Sequence, residues 1–291
     1  MSMSTKEIID RLDNEEGIYS LLDYNSIIQS AKTQATAVRI FQKADENKFT
    51  DWKYSQILKE TNYDFVANKI FQLAEENKFK DWDYNYILRN TQLKSVSKKL
   101  FELMEKNLFG GFNSYNRLLI DTKYEYTAHK TLELLKRNHF TDLNYNDIIA
   151  KTTFETVATE IFKIAEEEGF DDWKTSDILA QTTLESVANK MLEILAKNKV
   201  KNFSFNYILA FTRLESVANE IIRIGKEQGY ANWDYTYILS NIRSEDVAKI
   251  VFKLAKENKY KGLDPGPIQM RSKLPYVQQR VYDISHNIES T

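Results

Sequence analysis

Cysteine is absent from the 291 residues. That excludes a disulfide framework and any thiolate-held zinc or iron–sulfur site. Proline occurs three times and glycine eight times, too seldom for an all-β chain with many tight turns. No run of about 18 apolar residues occurs, so no membrane-spanning helix is expected. The opening stretch "MSMSTKEIIDRLDNEEG" lacks the apolar core of a signal peptide, and a cytoplasmic protein is the expectation. Neither charge dominates: 40 Lys and Arg stand against 42 Asp and Glu, a formal net charge of −2. A chain that lives on nucleic-acid phosphates usually shows a basic excess, and here there is none.

Internal repetition is present instead. "DWKYSQILKE" at 51–60, "DWDYNYILRN" at 81–90 and "NWDYTYILSN" at 232–241 are near copies. The position of the tryptophan recurs as Leu22, Trp52, Trp82, Phe112, Leu143, Trp173, Phe203, Trp233 and Leu263. Its period is 30 residues, with one extra residue inside "GFNSYNRLLI". A second marker keeps the same phase: "VANKIF" at 66–71, "VSKKLF" at 96–101, "VATEIF" at 157–162, "VANKML" at 187–192 and "VANEII" at 217–222. Two markers in one phase define a repeat protein.

Each unit reads as two helices. Asp51, Asp81, Asp142, Asp172, Asn202 and Asn232 are candidate N-caps of a short first helix. In it Tyr84, Ile87 and Leu88 share one face, with residues 83, 86 and 90 opposite. Thr152 with Glu155, Thr182 with Glu185 and Thr212 with Glu215 have the spacing of a capping box opening the second helix. Leu214, Val217, Ala218, Ile221 and Ile222 then recur at helical spacing. Gly169–Phe170 and Gly229–Tyr230 fit a left-handed helix end with an apolar residue folding back.

Neither helix buries its apolar face alone, and stacking completes the core. The expected fold is all-α: a right-handed α-solenoid of about eight helix-turn-helix repeats over 19–259. A capping helix is expected at 1–18 and a degenerate C-terminal repeat or cap at 260–291, the whole forming a single domain over 1–291.

Two-helix repeats of this kind resemble the tetratricopeptide and HEAT-like solenoids, though 30 residues is a shorter period. "LESVANEIIRIGKEQG" at 214–229 and "FSFNYILAF" at 203–211 resemble the helices of transcription activator-like effector repeats. That family reads bases from a glycine-rich interhelical loop. The junctions "NTQLK", "KTTFE" and "FTRLE" contain no glycine, so base reading does not carry over.

No catalytic spacing, phosphate loop or metal-ligand set is found, and neither enzyme activity nor a cofactor or metal is expected. His129, His139 and His286 have no ligand spacing. The tryptophans are replaced by phenylalanine and leucine, as core positions are. Asn68, Asn189 and Asn219 share a position but form a broken ladder, which reads as a solvated face.

Positions that vary from repeat to repeat are the better guide to a partner. Opposite the buried side of the first helix, one series reads Gln56, Tyr86, Arg117, Asp147, Asp177, Tyr207, Tyr237. The next reads Glu60, Asn90, Asp121, Lys151, Gln181, Phe211, Asn241. Exposed aromatics of this kind are favoured at interfaces. Ala150, Ala180, Ala210 and Ser240 are small and permit close approach, so first helices are expected to line the concave face. The candidate partner-binding residues are Tyr86, Asn90, Arg117, Lys151, Tyr207, Phe211, Tyr237 and Asn241. The expected role is a binding scaffold for a protein or peptide, with nucleic acid the alternative and no membrane contact.

Overall fold

The computed structural model describes residues 23–29, 31–76, 82–105, 115–138, 143–198 and 203–286. Among these there are eighteen α-helices and no strand. They alternate short and long. The first helices are α1 (Tyr24–Gln29), α3 (Tyr54–Glu60), α5 (Tyr84–Asn90), α7 (Tyr115–Asp121), α9 (Tyr145–Lys151), α11 (Thr175–Gln181), α13 (Phe205–Phe211), α15 (Tyr235–Asn241) and α17 (Pro265–Arg271). The second helices are α2 (Gln34–Glu46), α4 (Asp64–Glu76), α6 (Lys94–Glu105), α8 (Glu125–Asn138), α10 (Glu155–Glu167), α12 (Glu185–Asn198), α14 (Glu215–Glu227), α16 (Glu245–Glu257) and α18 (Pro275–Ser285).

First helices begin 30 residues apart, except that Tyr84 and Tyr115 are 31 apart, as the extra residue requires. The expected helix at 1–18 lies outside the described residues. The segment expected to be a degenerate repeat or cap, from 260, forms a helix pair whose second helix, of 11 residues, is shorter than the other second helices. Pro265 and Pro275 sit in the first turns of α17 and α18, where a missing N–H costs nothing.

The chain divides into two compact units, Met1–Thr141 and Asp142–Thr291. Within the first, α1, α3, α5 and α7 pack side by side, as do α2, α4, α6 and α8. Within the second, α9, α11, α13, α15 and α17 form a row, closer than the row of second helices. Ala150, Ala180, Ala210 and Ser240 are buried in that row, consistent with small residues permitting close approach. The core repeats with the chain. In one pair it is Ile178, Leu179, Val187 and Met191, all fully buried, and in the next Ile208, Leu209, Val217 and Ile221.

The tryptophan position is matched in volume to a residue eight earlier, on the preceding second helix, except in the last repeat, where Ala255 precedes Leu263. Ala44, Ala74, Ala165 and Gly225 precede Trp52, Trp82, Trp173 and Trp233, while Leu135 and Leu195 precede Leu143 and Phe203. A Cβ on Gly225 would lie 2.7 Å from the Trp233 ring. Trp52 and Trp233 are buried, the latter against Phe205 and Tyr230. These indoles are packing groups.

Capping differs from expectation in two ways. The N-cap of each first helix falls two residues after the aspartate or asparagine expected to hold it. Asp83, Asn144, Ser204 and Asp234 accept from the backbone N–H three residues on. Position 83, expected on the helix face, is therefore the cap itself. The threonines of the expected capping boxes end the first helix instead. Thr152, Thr182 and Thr212 are C-caps, and each hydroxyl accepts from the N–H two residues on, closing the turn. Ala31 and Ile242 take the threonine's place in two repeats. There Thr33 and Ser244 are N-caps of the second helix and accept from Thr36 and Val247 N–H. The tight turn thus has two interchangeable solutions.

The expected helix ends are present. Phe170 and Tyr230 N–H donate to Ala165 and Gly225 carbonyls past Gly169 and Gly229, whose φ values are 71° and 66°. Lys48 and Lys259 take the same left-handed conformation without being glycine.

A further device ties one repeat to the next at six boundaries among the described residues. The second residue of the first helix bonds the backbone that enters the following repeat. Asn25 Nδ2 donates to Asp51 O at 3.0 Å and its Oδ1 accepts from Lys53 N at 2.7 Å. Asn146 makes the same pair with Asp172 and Lys174, and Asn206 with Asn232 and Asp234. Ser55 and Ser176 accept from Asp83 and Ser204 N–H, and Thr236 spans Gly262 and Asp264. Carboxylates starting second helices add a parallel tie, since Ser95, Ser186 and Ser216 donate to Asp64, Glu155 and Glu185.

Two stability changes follow, both read by thermal or denaturant unfolding. Asn206→Ala is expected to cost ~1 kcal/mol, because it leaves the Asp234 N–H without its acceptor while Asn232 O keeps the Tyr230 hydroxyl. Asn206→Ser keeps an acceptor for Asp234 N–H, as Ser176 does for Ser204, and should cost less than half as much. Lys48→Gly is expected to stabilise by up to ~1 kcal/mol, since relief of the left-handed strain outweighs the added chain entropy. Equal losses for the two Asn206 variants, or destabilisation by Lys48→Gly, would contradict these assignments.

Candidate functional site

The exposed side of the first helices is set by their length. Seven residues make two turns, so Ile208, Leu209 and Ala210 of α13 are spent on the core. Tyr207 and Phe211, four residues apart, stand together on the remaining face.

In the second unit three candidates converge. The Tyr207 and Phe211 rings are 5.0 Å apart, centroid to centroid. Phe211 meets Tyr237 of the next repeat edge-on at 6.4 Å. Tyr237 is 37% exposed, and Tyr207 and Phe211 are partly so. The Arg243 guanidinium lies 4.9 Å from the Phe211 ring centre, a cation–π contact. Asn241 Nδ2 donates to Tyr237 O at 2.8 Å, which turns its amide onto its own helix. Burial pushes the Tyr207 hydroxyl above the ordinary phenol range, and the charge of the neighbouring Asp177 carboxylate pushes it further. Lys151 does not join the cluster. Its ammonium is 2.6 Å from Asp147, one turn back on α9.

In the first unit the candidates are separate. Tyr86 is half-buried with Lys59 Nζ 5.0 Å from its ring centre. Asn90 Nδ2 donates to Tyr86 O at 2.8 Å. Arg117 is exposed on α7. Arg89 and Asp121, from consecutive first helices, approach to 3.8 Å.

Arg243 was not among the expected site residues. It lies in the turn after α15, beyond the helical positions compared from repeat to repeat. The turn position itself varies in phase, as Thr153, Thr183, Arg213, Arg243 and Lys273, and that variation is the signal that would have found it.

The other recesses hold less. Between α12 and α14 lies a cleft of about 540 Å³ lined by Leu192, Leu195, Phe203, Arg223 and Ile224. Its cation is already held, because Arg223 bonds the carboxylates of Glu220 and Glu227. His129 is exposed and 3.3 Å from Glu133, one turn on. His286 stacks on Tyr282. His139 lies outside the described residues. Among the described residues no group of three or more His, Asp or Glu could hold a metal ion. Nor is any described helix long and apolar enough to cross a membrane. Asn68, Asn189 and Asn219 are exposed.

The chain is an all-helical protein of repeated helix pairs. No family model matches it, and neither does any curated protein or solved structure.

The environment of Tyr207 is directly testable. Its proton affinity is raised in the folded state, so its contribution to stability is complete below pH 10 and is lost as pH rises through the folded value. Asp177→Asn should lower the pH at which Tyr207 ionises, read by ultraviolet difference absorbance against Tyr207→Phe. An unchanged titration would place the carboxylate away from the phenol.

Proposed function

We propose that the protein is a non-catalytic binding scaffold that holds a protein or peptide along its first-helix face. The single observation that carries this reading is the Tyr207–Phe211–Tyr237 cluster, three aromatic rings from two successive repeats in contact on the solvent side of the helix row. The fold does not require them there, because the same positions hold Asp147, Asp177, Lys151 and Gln181 in neighbouring repeats. Rigid aromatic side chains supply contact area at low entropic cost and dominate interface energetics.

We further propose the finer architecture expected from the repeat: a right-handed solenoid whose first helices form the inner, concave layer. The closer row of first helices and the buried small residues at 150, 180, 210 and 240 support it, since an inner layer must pack more tightly. Lys151 and Asn241, on the same row of the second unit, then flank the aromatic centre as a polar rim; Tyr86, Asn90 and Arg117 hold the corresponding positions on the first-helix row of the first unit.

The test is selection of peptides from a random displayed library, followed by affinity measurement on alanine variants. Tyr207→Ala, Phe211→Ala and Tyr237→Ala should each weaken the selected peptides about tenfold or more, while shifting the melting temperature by no more than ~2 °C. Selected peptides indifferent to all three changes would move the binding surface elsewhere. Tight, steeply salt-dependent binding of single-stranded oligonucleotides through the same rings would replace the peptide by nucleic acid.

A further inference from the structure

The aromatic cluster is not electrically neutral at its C-terminal side. Each repeat contributes a turn residue two positions after its first helix ends, and in the last three repeats that residue is Arg213, Arg243 and Lys273. In the two preceding repeats it is Thr153 and Thr183. Arg271 adds a fourth cation, at the helix-end position that Phe211 and Asn241 hold in the two repeats before it. All four are exposed. Among the described residues Arg213, Arg271 and Lys273 make no ion pair, and Arg243 lies over the Phe211 ring with its charge also felt by the Tyr207 hydroxyl.

The nearest carboxylates in the chain do not neutralise them. Glu245 and Asp246, just after Arg243, are taken by Lys249 at 3.1 and 3.0 Å. Glu215 follows Arg213 by two residues, a spacing at which side chains on a helix start do not face one another, and the two form no pair. Asp177 lies on the other side of the cluster, beside Tyr207. Along the row the face therefore gains positive charge toward its C-terminal end: Asp177 stands before the rings, Arg213 and Arg243 stand in the turns of the two aromatic repeats, and Arg271 and Lys273 lie in the repeat beyond, while Asp147 is already taken by Lys151.

We infer that the C-terminal half of this face takes an acidic peptide segment, with an apolar anchor on the Tyr207–Phe211–Tyr237 rings and carboxylates against Arg213, Arg243 and the two cations beyond. The inference rests on the proposed use of the first-helix face and adds the chemistry and direction of its occupant. Arginine suits the role, since its planar guanidinium binds a carboxylate bidentately while its face lies on an aromatic ring. Arg243 is already stacked on Phe211, so its outer edge is fixed and less freedom is lost when a carboxylate arrives. A peptide is preferred to nucleic acid because the rings meet tilted and edge-on, at 54° and 77°. That packing closes a surface for an apolar side chain and leaves no parallel slots for successive bases.

The test uses the full chain and three fluorescent probes in an anisotropy titration: a twelve-residue peptide alternating Glu and Leu, its Lys–Leu counterpart, and a twelve-nucleotide oligouridine. The Glu–Leu peptide is expected to bind tightest, and more weakly as salt rises. Arg213→Glu/Arg243→Glu should weaken it at least tenfold, and Phe211→Ala comparably. Lys190→Glu, an exposed cation on α12, should leave it unchanged. Circular dichroism melting confirms that each variant is folded. Equal binding by the double variant, or tighter binding of the Lys–Leu peptide or of oligouridine, overturns the inference. Failure of the Glu–Leu peptide while library-selected peptides still bind through Phe211 overturns the acidic specificity alone, whereas failure of both removes the underlying reading as well.

Discussion

A seven-residue helix does not persist in water. Nucleating a helical turn costs more than two turns of hydrogen bonds return, and isolated helices need about 12–15 residues even with favourable composition. Every first helix here from α3 to α17 has seven residues. Each survives only because its neighbours hold it. Ile178 and Leu179 of α11 leave water completely, worth ~1.5–3 kcal/mol each, but only with α9 and α13 on either side. The side-chain bonds from Asn25, Ser55, Asn146, Ser176, Asn206 and Thr236 to the next repeat's backbone fix the offset at which that burial happens. Dependence of each short helix on its neighbours is the constraint under which the other features fall into place.

The period, the helix pairs and the buried positions were legible in the sequence because they rest on apolar spacing, which repeats and is hard to imitate by chance. The capping residues were less so, for a definite reason. Asp81 and Asp83 both flank Trp82, and both are good N-cap residues, so periodicity does not choose between them. A single residue, the N-cap, separates the tryptophan from the helix, and only the folded chain reveals that. Likewise Thr-x-x-Glu reads the same whether threonine caps the following helix or ends the preceding one. The shortness of the first helix decides it, by placing Thr152, Thr182 and Thr212 at its last carbonyls.

The clamp residues were missed because an asparagine or serine at the second position of a helix looks like ordinary surface polarity. Nothing local distinguishes Asn206, which bonds the next repeat, from Asn219, which is exposed. The site was legible in part. Tyr207, Phe211 and Tyr237 were found by asking which positions vary in phase, and they touch. Lys151 and Asn241 were found the same way, but they bond within their own helices. Variation between repeats marks positions the fold leaves free. It does not tell which free positions meet, because that depends on the turn of the helix and on side-chain reach across the repeat boundary.

Freedom from the fold is what makes the aromatic face informative. An exposed ring has no packing reason to persist, whereas Ile208, Leu209 and Val217 beneath it do. In a stack whose stability is a sum of repeat and neighbour terms, a change at Phe211 or Arg243 perturbs one boundary lightly, and a change at Leu209 perturbs two. Folding chemistry is thereby confined to one side of a seven-residue helix: that side is fixed by the neighbours, and the other is open to any side chain. In the second unit that open side carries Asp177, then the three rings with Arg213 and Arg243 in the turns of their own repeats, then Arg271 and Lys273. In the proposed use of this face, a ligand lying along the row would meet Asp177 first and the cations of the last repeat at its far end, so its own order of charge and apolar groups would set which way round it lies.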